Sequence, residues 1–186
     1  MRYLTLFLCA VLAVTSAANA QSQPQIQVDS RTEALSDDAA SLAQAQQAAG
    51  VALADKLWSL AELGYQEYQS SAELQSYLGA NGFSVETNAG AIPTAFVATY
   101  RSPQASGATP VLAILAEFDA LPGLNQAATP MRQVTEQDGA GHACGHHLFG
   151  AASAQAAVGL SHWLRANRIG ATIKLVGTPA VEGGSG

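Results

Sequence analysis

The sequence predicts an α/β layered domain with a mostly parallel sheet flanked by helices, and three observations carry that expectation. Residues 111–116 (Val-Leu-Ala-Ile-Leu-Ala) form a continuous apolar run of strand length, as in a strand buried on both faces. Residues 171–176 form a second such strand. Between them Phe149, Ala152, Ala156, Leu160, Trp163 and Leu164 recur at helical spacing over residues 148–166, giving one apolar face. Strand, crossover helix and strand in that order is the unit from which parallel sheets are built.

The remaining elements follow in chain order. Residues 1–20 stand apart: Arg2 gives a short basic start, residues 3–14 are apolar, and Ala18-Asn19-Ala20 fits signal cleavage. That run is shorter than the ~20 residues of a membrane span. Export with cleavage before Gln21, to the periplasm or the exterior, is therefore expected. Residues 21–36 are polar and suit a flexible leader. A helix is expected over residues 37–63, from Leu42, Val51, Leu53, Leu57, Trp58 and Leu60, with Gly64 to end it. A second helix is expected to be capped at Ser70/Ser71 and to stop at residues 79–82. Strands are expected at 83–87 and 94–100, loops at 102–110 and 123–140, and a Gly-rich turn after residue 176.

Composition narrows the function. At 186 residues, 48% apolar and 12% charged, the chain can bury a core, so residues 37–186 are expected to form one domain. A net charge of −6 with no Lys/Arg cluster excludes nucleic acid and anionic membrane as expected partners and leaves a small molecule or peptide. Cleavage removes Cys9, leaves Cys144 as the only cysteine, and so excludes an internal disulfide.

Cys144 lies in Gly141-His142-Ala143-Cys144-Gly145-His146-His147, which holds three of the four histidines. A thiolate and an imidazole on either side of a glycine that lets the chain bend are donors suited to zinc, cobalt or manganese. The plain alternative is a buried thiol beside capping histidines. Glu117 and Asp119, one residue apart at a strand end, share one side of the pleat and can look into one pocket, or be merely solvated. Glu182, in the turn after the next strand, is either a ligand or a helix-capping acid. Ligands in such sheets collect beyond the carboxyl ends of the strands, where all these acids are expected. His142 and His147 either fix the tautomer of a ligand or face water. His162, far along the helix, is read as structural.

At these residues the chain resembles the metallo-amidohydrolases and metallopeptidases related to carboxypeptidase G and aminoacylase, nearest to the aminobenzoyl-glutamate utilisation B group. The resemblance is carried by Ala61-Glu62-Leu63-Gly64 with Ser70-Ser71, by Ala116-Glu117-Phe118-Asp119-Ala120-Leu121-Pro122-Gly123-Leu124, by residues 141–150, and by residues 177–186. It implies the amino-terminal part of a zinc-exopeptidase-like catalytic domain and two divalent metal ions, zinc or manganese. It also implies hydrolysis of an amide next to a carboxylate, as in aminobenzoyl-glutamate, N-acyl amino acids or small peptides. By position, Cys144, His146 and Glu182 are the implied ligands, with Cys144 as a candidate bridge. Asp119 is the implied supporting acid, with Glu117 beside it and His142 as a further supporting candidate.

Two departures qualify the implied activity. The family's general base is the first glutamate of a Glu-Glu pair, and Val181 stands there; losing such a base typically costs ~10²–10⁴ in rate. The family also continues into a lid or dimerisation domain, through which a homodimer is expected, and into a second catalytic segment with further ligands. The expectation is therefore a partial catalytic domain with impaired hydrolysis, or an inactive remnant that binds metal or ligand only. A third reading makes Cys144 the nucleophile of a thiol hydrolase.

Overall fold

The computed structural model describes residues 30–184; the expected signal peptide and most of the expected leader lie outside them. Four helices, α1 (Ser30–Gln44), α2 (Gln47–Leu60), α3 (Tyr68–Ala80) and α4 (His146–Ala166), accompany four strands, β1 (Ser84–Thr87), β2 (Phe96–Arg101), β3 (Val111–Glu117) and β4 (Thr172–Thr178). The strands form one sheet in the order β1-β2-β4-β3. The α/β layering is as expected, but the pairing is mixed. β3 and β4 run parallel, from Val111↔Thr172 to Glu117↔Thr178, while β2 is antiparallel to both β4 and β1. The strand–helix–strand unit made its parallel pair. The short link of residues 88–95 pairs β1 with β2 antiparallel, and β2 then joins the far side of β4 antiparallel as well.

The first expected helix is two. The backbone breaks at Ala45-Gln46, where α4 holds the end of α1: Gln155 Nε2 donates to the Ala43 carbonyl at 2.9 Å, and Gly159 leaves no room for a Cβ against Ala43. α1 begins at Ser30, so residues 30–36 of the expected leader are helical. α2 ends at Leu60 on Ala61, which takes a left-handed conformation, and Gly64 instead provides close packing against Ala180. α3 starts two residues before Ser70. Its first turn is capped from outside by Glu62, whose carboxylate accepts the backbone N–H groups of Gln69 (3.1 Å) and Ser70 (2.7 Å).

The core lies between one face of the sheet and the helices, built from Phe96, Ala98, Ala116, Ile173 and Leu175 against Leu57, Leu74, Leu78, Ala154 and Val158. β3 is not buried on both faces. It is an edge strand, with Val111 60% and Leu115 54% exposed. An apolar run reports the wish for burial without reporting which neighbours supply it. Among the described residues no helix is long and apolar enough to cross a membrane.

Candidate metal centre

The centre sits where the parallel pair ends. β3 and β4 are in register up to Glu117↔Thr178, so the residues just beyond both strands emerge at one edge of the sheet. α4 starts at the same edge. Gly145, at φ +91°, makes the bend that starts the helix at His146, in a conformation that residues with a Cβ rarely adopt. The first turn of α4 lies close over the strand end; a Cβ on Gly150 would stand 2.7 Å from the Glu117 carbonyl oxygen.

His146 is buried and surrounded by carboxylates. Its Nδ1 lies 2.7 Å from Asp119 Oδ1, while Nε2 lies 2.9 Å from Glu117 Oε2 and 3.7 Å from Glu182 Oε1. Asp119 is itself buried, and its other oxygen accepts the Glu182 backbone N–H at 2.8 Å. One carboxylate thus fixes the imidazole and the acid-bearing turn together. Asp119 at Nδ1 is the arrangement by which a carboxylate orients a histidine ligand, and it leaves Nε2 facing Glu117 and Glu182, where a cation between them would take the Nε2 lone pair. The negative charges also lie at the amino terminus of α4, where the helix dipole favours them.

Cys144 Sγ completes the group. Donor atoms of Cys144, His146 and Glu182 all lie within 4.8 Å of one another, and Glu182 Oε1 is buried without a hydrogen-bond partner. A thiol, an imidazole and an orphaned carboxylate oxygen converging this closely fit a divalent cation such as zinc. The cysteine is exposed, which sets aside the buried-thiol alternative. Its pKa is raised, first by its hydrogen bond to Glu182 and by that residue's charge, then by Glu117 and Asp119 among the lesser causes. These surroundings hold the proton on sulfur, the opposite of what activates a nucleophilic cysteine. A cation reverses that balance.

The other expected residues fall outside this group. His142 is buried, its Nε2 donates to the Leu57 carbonyl at 3.1 Å, and burial, with the charge of His147, lowers its pKa to about 4. It ties the Cys/His turn to the end of α2. His147 stands edge-on to Trp58, with ring centroids 4.9 Å apart. His162 lies on α4, four turns beyond the centre. Val181 is half-buried and brings no proton acceptor.

Sequence reasoning missed Glu67 and Tyr65. The Glu67 carboxylate accepts the Ala180 N–H at 2.8 Å, and the Tyr65 hydroxyl donates to the Gly184 carbonyl at 3.2 Å, so the segment before α3 holds the turn that carries Glu182. The only available signal was proximity to Ala61-Glu62-Leu63-Gly64, one of the stretches that carried the resemblance. A cleft of about 400 Å³, walled by Leu63, Tyr65, Leu121, Pro122 and Ala180, opens beside Asp119 and Glu182.

No family model matches the chain. Individual relatives do. Over 72% of its length the chain is 39% identical to a p-aminobenzoyl-glutamate hydrolase component of Escherichia coli, spanning 27% of that protein. Over 73% of its length it is 35% identical to human Xaa-Arg dipeptidase, spanning 30% of it. Its fold matches a Bacillus subtilis protein described as a dinuclear metal-binding peptidase of the M20 family, with a TM-score of 0.59 and 27% identity over 74% of this chain and 36% of that one. The chain therefore spans about a third or less of the length of these relatives.

Proposed function

We propose that this chain, a relative of the M20 metallopeptidases and amidohydrolases in both sequence and fold, is a metal-dependent hydrolase of an amide bond adjacent to a carboxylate. Aminobenzoyl-glutamate, N-acyl amino acids and small peptides are the substrate classes. The observation that carries the proposal is the convergence of Cys144, His146 and Glu182 donor atoms within 4.8 Å. We propose export as well, on residues 1–20.

Cys144, His146 and Glu182 would hold the ions, two in number by likeness to the dinuclear relative. When bound, such ions polarise the scissile carbonyl and bring the pKa of a bound water toward ~7. The chain's own residues do the rest. Asp119 fixes the His146 tautomer and the Glu182 backbone. Glu117, with its carboxylate a quarter exposed and 2.9 Å from His146 Nε2, is the side chain placed to take a proton from water, since Val181 cannot.

The test is turnover of aminobenzoyl-glutamate and N-acyl amino acids by the purified chain loaded with zinc or manganese. Metal-dependent activity that disappears in Cys144→Ala is the expected result. Activity that is blocked by alkylation and indifferent to metal would overturn the proposal in favour of a thiol hydrolase. Val181 favours a second reading, in which the chain binds metal without turnover; tight metal binding with no hydrolysis of any of these substrates is its signature.

A further inference from the structure

The Glu67 carboxylate is fully buried and takes no part in the donor group. Oε1 accepts the Ala180 N–H at 2.8 Å, and Oε2 has no hydrogen-bond partner. Burying a carboxyl with one oxygen unsatisfied is costly, and an apolar side chain of similar size would fill the same space without that cost. What the carboxyl supplies that such a side chain cannot is the acceptor for Ala180.

Ala180 needs that acceptor. Its φ is +58°, a left-handed conformation that a residue with a Cβ keeps only when its surroundings hold it there. Gly64 packs against it so closely that a Cβ at residue 64 would lie 2.9 Å from the Ala180 Cβ. The Ala180 carbonyl accepts from the N–H groups of Gly183 (3.3 Å) and Gly184 (2.6 Å), which folds the turn around Glu182. Two backbone N–H groups of this turn are therefore held by carboxylates, Ala180 by Glu67 and Glu182 by Asp119. They are two residues apart, so freedom at the first becomes movement of the Glu182 carboxylate. Metal donors tolerate only about ±0.2 Å.

We infer that Glu67 is a positioning residue of the metal centre, locking the turn so that Glu182 faces Cys144 and His146. The inference rests on the metal-binding reading above. Burial raises the Glu67 pKa, against the lesser opposing pull of the backbone N–H groups around it and of the nearby Thr94 hydroxyl. A glutamine, which keeps an acceptor oxygen in either case, should then serve the same purpose.

The experiment measures zinc affinity of the purified chain by competition with a chromophoric chelator, well below the unfolding temperature of each variant. Glu67→Leu and Glu67→Asp both remove the acceptor from reach of Ala180, the second while keeping the acid. Both are expected to weaken zinc binding by about tenfold or more, in the range seen for residues that support metal ligands. Glu67→Gln is expected to restore affinity to within about threefold of wild type. Ser71→Ala removes a buried hydrogen bond to the Thr94 carbonyl in the same region; it should lower the unfolding temperature and leave zinc affinity unchanged. Wild-type affinity in Glu67→Asp, or an equal loss in Ser71→Ala, would overturn the inference while leaving the metal centre standing. If Glu67→Leu fails to fold, the Asp and Gln variants still decide. Absence of zinc binding by the wild type would overturn the metal-binding reading, and this inference with it.

Discussion

Asp119→Asn tests the centre most sharply, because the two amino acids have the same shape and differ in what they offer to hydrogen bonds. Both Asp119 oxygens accept, one from His146 Nδ1–H and the other from the Glu182 backbone N–H. Asparagine offers one acceptor and one donor. If its oxygen stays on Glu182, its NH₂ faces Nδ1, and the imidazole must place its own hydrogen on Nε2, the nitrogen that faces Glu117 and Glu182. If its oxygen stays on His146, the NH₂ meets the Glu182 N–H donor to donor, and the turn must move. Either way a donor to the metal is lost or displaced. Losing such a carboxylate partner typically weakens metal binding by ~10–100-fold, or about 1.4–2.7 kcal/mol. The buried mismatch should lower folding stability by about 1–3 kcal/mol besides. Chelator competition near neutral pH measures the first, and denaturant unfolding in metal-free buffer measures the second. Zinc affinity in Asp119→Asn equal to wild type would refute the assignment of Asp119 as the residue that orients His146.

Four further outcomes are expected. Val181→Glu should raise hydrolysis of the best substrate by ~10²–10⁴ without changing zinc affinity; an unchanged rate would show that the missing base is not what limits the chain. Gly150→Ala should cost about 1–3 kcal/mol and weaken zinc binding too, because the new Cβ presses on the Glu117 backbone. Gly79→Ala, which meets open space, should be neutral or stabilising when the two variants are compared by denaturant unfolding. His142 gives the pH dependence. Its folded pKa is about 4, against ~6.5 unfolded, so only the unfolded chain gains the proton between those values. Stability is then complete above about 6.5 and is lost as pH falls toward 4, by up to about 3 kcal/mol. Chemical denaturation at stepped pH should show a shallower acid limb in His142→Gln, and an equally steep limb would assign that loss to other groups.

How much of this was legible in the sequence depended on whether the signal was local. Gly145 between a thiol and an imidazole, and two acids one residue apart at the end of an apolar run, are local patterns, and the structure brings Glu117, Asp119, Cys144, His146 and Glu182 to one edge of the sheet. The extent of α4 and the two flanking strands were local too, but the face of α4 was misread: Gly150, Ala151, Ala154, Ala157 and Val158 are buried, while Phe149, Ala152 and Ala156 of the expected apolar face are exposed, because small residues let the helix lie close against its neighbours. What failed depended on distant partners. Residues 111–116 read as doubly buried and became an edge, because the run says nothing about what lies beside it. The break in the first helix comes from Gln155 and Gly159 on α4, more than 100 residues away. Ser70 and Ser71 looked like caps, yet the capping oxygens are those of Glu62. Glu67 passed unnoticed because an acid in a polar stretch gives no sign that it will be enclosed.

The pairing of Leu121 with Gly141 closes the base of the loop with two hydrogen bonds of 3.0 Å, N–H of each to the carbonyl of the other. The 19 residues between them are therefore closed at their base just before the candidate metal-donor turn, and Pro122 at their start walls the cleft beside Asp119 and Glu182. An insertion or deletion at the tip of that loop leaves the separation of Asp119 and Cys144 unchanged. A single added residue within β3 or β4 would instead reverse every side chain beyond it and scatter the centre together with the core. Length can thus change at the exposed tip of this loop with less effect on the candidate centre than within the two strands, where it is fixed by the side chains at their ends.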